Sequence, residues 1–198
     1  MYHKAVQIIN DEHAAITAVL YTLRYLVHHM RDGSQQPNFP LLRAIFDYIS
    51  AYPDRWHHPK EEQYLFVAVK RRTHDVDALI EGLEREHQKS YPMLRELQNA
   101  LLAFQNASPG AGGKFYDLCE RYVEIEWAHM RKEEDELIPE AEKVLTEADW
   151  TEIDSAFQEN DNPLFGIKPK QDAERLYQKI LSLAPDPMGY SGKGETSG

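Results

Sequence analysis

The 198-residue chain has a single cysteine, Cys119, which excludes an internal disulfide framework and any multi-cysteine zinc or iron-sulfur site. Cys119 reads as a small apolar filler. The chain also lacks an apolar run long enough to cross a bilayer, and its opening MYHKAVQIINDEH turns polar before it can supply the core of a signal peptide. Positive charge is scarce. Lys plus Arg number 22 against 33 Asp plus Glu, a net −11, and that field repels nucleic acid and acidic membrane surfaces. These absences leave a cytoplasmic protein with neither a nucleic-acid nor a membrane partner as the expectation.

Apolar residues recur with the period of amphipathic helices. Val6, Ile9, Ile16, Leu20, Leu23 and Val27 make one stripe, and His13 lies on it. A second stripe starts at Pro40 and runs through Ile45, Ile49, His57, Glu61, Leu65 and Ala68. Pro53 and Pro59 interrupt it, which predicts a kink near Tyr52 and irregularity at His58. A third carries Leu79, Leu83, His87, Leu94, Leu97 and Leu101, with Thr73 or Asp75 as its cap and Pro92 as a possible bend. The fourth runs through Phe115, Leu118, Tyr122, Ile125, His129, Glu133 and Leu137 up to Pro139. Loops are expected at residues 32–40 and 108–113, where Gly, Pro, Ser and Asn collect.

Short connections between four long helices predict an all-α, antiparallel up-down-up-down four-helix bundle over residues 1–145. Short extra C-terminal helices should pack on it over residues 146–184. Thr146 with Asp149 has the spacing of a capping box that opens the first of them. The last should follow a loop over residues 160–170, and residues 185–198, rich in Gly, Ser and Pro, should be a disordered tail.

One motif occurs twice. WHHPKEEQYLF and AHMRKEEDELIP align on their paired glutamates as His-x-x-x-Glu-Glu-x-x-Leu, giving His57, Glu61, Glu62 and His129, Glu133, Glu134. Histidine and glutamate four residues apart share a helical face, so each copy offers one imidazole and one carboxylate in the same direction. With His13 and His87 from the other two helices, the candidate metal ligands are His13, His57, Glu61, His87, His129 and Glu133. Buried carboxylates cost several kcal/mol each without compensation, and a cation pair would supply it for all six residues. Nitrogen with carboxylate suits iron, manganese or zinc. His58 with Glu62 has the same spacing and stays open as an alternative register. The remaining histidines, His3, His28, His29 and His74 with His58, read as surface or supporting residues, and Glu62 and Glu134 as solvated groups or as partners that orient a ligating imidazole. A bundle whose His/Glu network holds no metal is the bland alternative.

Glu12-His13, HHPKEEQYLF, Glu86-His87 and HMRKEEDELIP together resemble the hemerythrin-like, or HHE cation-binding, family. The resemblance implies a four-helix bundle around a non-haem di-iron centre, two iron ions held by the histidines above and bridged by two carboxylates. Oxygen-carrying members have a further third-helix histidine, where this chain has leucine or tyrosine, and usually an aspartate where it has Glu133. An open coordination position for dioxygen, nitric oxide or a peroxide is therefore expected rather than simple oxygen carriage. Three functions follow: binding or sensing a diatomic ligand, acting on peroxide or donating iron for cluster repair, and a metal-free interaction module. Related repair proteins carry an N-terminal cysteine-bearing domain, and this chain is expected to start directly in the first bundle helix.

Overall fold

The computed structural model describes residues 3–158 and 169–185, and among them there are helices and no strands. Helix α1 (Lys4–Arg31) is followed by α2 (Phe39–Ala51), which Asn38 caps by accepting from the Leu41 N–H at 3.1 Å, with Pro40 in its first turn. The chain then winds through π1 (Pro53–His57), α3 (His58–Lys60), π2 (Glu61–Phe66) and α4 (Val67–Arg72). Helices α5 (Asp77–Gln105) and α6 (Ala111–Lys132) come next, and α6 leads into π3 (Glu133–Leu137) and α7 (Ile138–Val144). Two further helices, α8 (Glu147–Gln158) and α9 (Pro169–Leu183), complete the described chain.

The expected irregularity at the prolines takes a definite form, π-helical turns. The His57 N–H bonds to the Tyr52 carbonyl and the His58 N–H to the Pro53 carbonyl, five residues back. Proline has no N–H for the bond four residues back, and its ring crowds that carbonyl, so Pro59 and Pro139 favour a wider turn just before them. The same five-residue bond, from the Ile138 N–H to the Glu133 carbonyl, closes π3 ahead of Pro139. Helix α5 continues through Pro92.

Helix α5 corrects one expectation. It starts at Asp77 and its N-cap, Val76, provides no side-chain bond. Thr73 instead accepts from the Asp75 N–H at 3.1 Å in the preceding turn. The Thr146/Asp149 capping box is present: Asp149 accepts from the Thr146 N–H at 2.8 Å, and Thr146 from the Asp149 N–H at 3.3 Å. Helix α9 opens at Pro169, inside the last residues of the expected loop, while residues 159–168 and 186–198, which hold the rest of that loop and nearly all of the expected tail, lie outside the described residues.

Buried apolar side chains form two clusters. One joins Leu20, Leu23, Ile45, Phe46, Leu97, Phe115, Cys119 and Tyr122, and α9 adds Ile180 to it. The other joins Ile9, Phe66, Val69, Leu83, Leu137 and Trp150. Between them lies a polar layer: Glu12, His13, His57, His58, Glu61, Glu126, His129 and Glu133 are all buried. The apolar clusters exclude water from both ends of that layer, so its charges meet one another instead of solvent. No described helix is long and apolar enough to cross a membrane.

Candidate metal centre

The six predicted residues converge in the polar layer. His13 on α1 and His57 on π1 bring their Nε2 atoms to 3.1 Å, and His87 on α5 and His129 on α6 bring theirs to 2.9 Å. The other ring nitrogen of each is occupied. Nδ1 of His13 donates to Glu134 at 2.8 Å, that of His57 to Glu12 at 2.8 Å, that of His87 to Glu62 at 2.9 Å and that of His129 to Glu86 at 3.0 Å. A carboxylate on Nδ1 fixes the tautomer that leaves a lone pair on Nε2. All four lone pairs then point into one space, where in the neutral form they repel.

Glu61 and Glu133 line the same space, each 1% exposed. Glu61 Oε1 lies 3.2 Å from His57 Nε2 and its Oε2 lies 3.8 Å from His87 Nε2. Glu133 mirrors it, with Oε1 3.3 Å from His129 Nε2 and Oε2 3.3 Å from His13 Nε2. Each carboxylate thus turns one oxygen to each imidazole pair. None of these four buried oxygens has a hydrogen-bond partner. Unpartnered acceptors facing imidazole lone pairs are costly on both sides, and a cation in each half answers both costs. Two sets, His13, His57, Glu61, Glu133 and Glu61, His87, His129, Glu133, each gather their donor atoms within 4.8 Å and could hold a metal ion. The residues present therefore fit a metal pair.

The hemerythrin HHE cation binding domain matches residues 4–141. The chain belongs to this hemerythrin family. No curated protein matches the chain, and no solved structure does.

In this HHE protein the two registers left open at His57/His58 and Glu61/Glu62 turn out not to compete. His57 and Glu61 face the space between the imidazole pairs, Glu62 reaches back to orient His87, and His58 is buried as well, at 6% exposure. Of the two expectations for His58, a surface or a supporting residue, its burial corrects the first. His58 stacks on His87 with centroids 4.1 Å apart and meets His129 edge-on at 5.5 Å. With His87 and His129 it forms a third possible ligand set. Adjacent residues of an α-helix diverge by roughly 100°, which turns their side chains toward different neighbours; five-residue bonding through π1 winds the chain less per residue and lets both imidazoles face inward. The signal in the sequence was the proline pair flanking the doublet. Of the other histidines, His28 and His74 are exposed, and His3 stacks on Trp150.

Sequence reasoning also left Glu12 and Glu86 without a role. Each precedes one of the four converging histidines, yet each orients the histidine of another helix, Glu12 orienting His57 and Glu86 orienting His129. Lys132 pairs with Glu86, and the His129 contact holds the Glu86 carboxyl down to about 2.

The electrostatics describe a space that takes protons when it holds no cation. Burial pushes Glu61 well above the ordinary carboxylate range, reinforced by Glu133. Burial works against a charged His13, but Glu133 and Glu134 outweigh it and raise the imidazole to about 10; His129 is raised by the same balance. Glu133 is held low, its burial overcome by His129 and His13. Next to His58, His87 and His129 lies a cavity of about 200 Å³ that Ser90 and Glu126 also line. Burial pushes Glu126 up to about 7.

Proposed function

We propose that this chain is a non-haem di-iron protein that binds or senses dioxygen or nitric oxide, with His13, His57, Glu61, His87, His129 and Glu133 as ligands. The observation that carries the reading is the division of the Glu61 and Glu133 oxygens between two imidazole pairs. Two carboxylates and four imidazoles exceed what one six-coordinate ion uses with a position to spare, and suit two ions bridged by the carboxylates. Manganese or zinc would fit the same donors. In this reading α1, the segment from α2 to α4, α5 and α6 with its extension make an antiparallel up-down-up-down four-helix bundle over residues 1–145, with α8 and α9 packed on it. The compartment is the cytoplasm, and the partner is a small diatomic or peroxide molecule.

Iron would supply a Lewis-acidic, redox-active position for that molecule. The chain's own residues do the rest. Glu12, Glu62, Glu86 and Glu134 hold the imidazoles with Nε2 inward, and the two apolar clusters keep bulk water out. The cavity beside His58, His87 and His129 gives a small molecule access to that side of the ligand set.

A second reading, an enzyme that acts on peroxide at this site, is favoured by Glu126. Its carboxyl is buried, raised to about 7, and lines the cavity with His129. Cleaving an O–O bond consumes protons, and a neutral carboxyl at that wall can deliver one. Metal analysis with optical spectra of protein prepared with and without air tests the first reading. About two irons per chain and a spectrum that changes with dioxygen or nitric oxide are expected; saturation at one ion, or none, overturns it.

A further inference from the structure

Five histidines crowd the candidate metal centre, and four of them are held. His13, His57, His87 and His129 each donate from Nδ1 to a carboxylate, at 2.8 to 3.0 Å. His58 makes no such bond among the described residues. Its Nδ1 lies 3.9 Å from Asp54 Oδ1, too far to donate, and that oxygen already accepts from Ser90 Oγ at 2.6 Å. Asp54 Oδ2 is buried with no hydrogen-bond partner. His58 also lines two cavities: the one of about 200 Å³ that it shares with His129 and Glu126, and one of about 310 Å³ that Asp54 and Tyr91 line as well.

From this geometry we infer that His58 is a displaceable seventh ligand, which closes the cavity-facing position of the His87/His129 half and gives it up to a small molecule by turning toward Asp54. The inference rests on the di-iron reading and names the side chain that guards its open position. One nitrogen of each of His58, His87 and His129 lies within 4.8 Å of the others. Two nitrogens on one ion stand about 3 to 4 Å apart when each bond is roughly 2.1 Å long, so a small turn brings His58 into reach. A turn is needed, because His58 and His87 are stacked with centroids 4.1 Å apart and planes within 15°. Stacked rings send their in-plane lone pairs out side by side, and both cannot hold one ion. Glu62 fixes His87, which leaves His58 as the ring free to move. Turned one way, it completes three imidazoles; turned the other, its Nδ1 donates to the spare oxygen of Asp54. A ligating imidazole is normally fixed by a partner on its other nitrogen, and His58, lacking one, is the imidazole that a competitor displaces at least cost.

Cobalt(II) and azide are the probes, cobalt because its visible absorption follows the number of ligands around it. The full chain is loaded with cobalt, its metal content is measured, and it is compared with His58→Ala, which widens the cavity, and His58→Phe, which keeps a ring on His87 but has no nitrogen. Both variants should keep about two ions per chain and shift the visible spectrum in the same direction. Both should bind azide about tenfold more tightly than the unaltered chain, because a position closed in about nine molecules of ten lowers the apparent affinity by that factor. Asp54→Asn should weaken azide binding in the unaltered chain and have no effect once His58 is phenylalanine. An unchanged spectrum in both variants, or shifts that oppose each other, overturns His58 as a ligand. Azide affinities that are equal in all three chains, absent, or moved in opposite directions by the two variants overturn displacement, the last marking a change of access alone. An equal effect of Asp54→Asn with and without the imidazole overturns the part given to Asp54. A chain that binds no cobalt overturns the di-iron reading and the role of His58 with it; one that saturates at a single ion overturns the di-iron reading, and the spectra of the two variants then decide His58 on that ion.

Discussion

The two halves of the candidate metal centre are built alike and finished differently. In the first, His13 and His57 are oriented by Glu134 and Glu12; in the second, His87 and His129 are oriented by Glu62 and Glu86. The likeness follows from the repeated motif, and the cross-connection between helices makes each half depend on the other's glutamates. The difference lies in what surrounds them. The second half has a third imidazole, His58, and a cavity with Glu126 on its wall. The first half has no third imidazole in its ligand set, and beyond Glu12 lies a different cavity, lined by Tyr48, Tyr52 and Tyr177. A duplicated motif therefore gives two similar candidate cation positions, and neighbouring side chains make their surroundings differ.

The most severe break of the comparison removes what the halves share. Glu61→Ala or Glu133→Ala should abolish paired loading, taking metal content from about two ions per chain to one or fewer by elemental analysis. Two retained ions would show that the carboxylates do not bridge.

Removing metal altogether should act on both halves together. Cations bound only by the folded chain add about 4 kcal/mol at a free concentration a thousandfold above the dissociation constant, or about 10 °C in melting temperature for a chain of this size. The pH dependence has a defined sign. Glu61, His13 and His129 are all raised in the metal-free chain, so they bind protons that metal must expel, and the metal-induced shift should shrink as pH falls from about 8 to 5. A melting temperature indifferent to metal across that range would favour the hydrogen-bonded network without a cation.

Single imidazoles sharpen the contrast. His57→Ala leaves its half one nitrogen and should lose that ion, whereas His87→Ala leaves His58 and His129 and should weaken binding by about 10–100-fold while retaining it. Titration of the two variants with metal separates the cases, and equal loss in both would show that His58 is not a ligand. His58→Ala itself should retain most of the loading, with affinity lowered about tenfold.

A further contrast concerns the cavity wall. The Glu126 carboxyl is raised from 4.5 to about 7 by burial, so the folded chain holds its proton more tightly than the unfolded one. Its contribution is fully present below about pH 4.5 and is lost as pH rises through about 7, by at most about 3 kcal/mol. Glu126→Gln should flatten that part of the stability curve of the metal-free chain, measured by urea unfolding between pH 4 and 8. An unchanged slope would mean that the carboxyl stays hydrated.

Much of this was legible in the order of residues. Helical periodicity depends on local spacing, so the stripes through His13, His57, His87 and His129 marked both the helices and the imidazoles that converge between them. The His-x-x-x-Glu repeat did the same for Glu61 and Glu133, because four residues make one turn. Prolines announced irregular backbone, though not its kind, since a kink, a break and a π turn all relieve the same missing N–H. Only the packed structure decided that His58 turns inward beside His57, that Glu12 and Glu86 orient imidazoles on other helices, and that Tyr52, Tyr48 and Tyr177 line one cavity. Those relations join residues tens of positions apart, and no local period encodes the rotation of one helix against another. Side-chain identity supplied the chemistry available to the site; the rotation and depth of each helix, set by how the two apolar clusters pack, determined which groups meet.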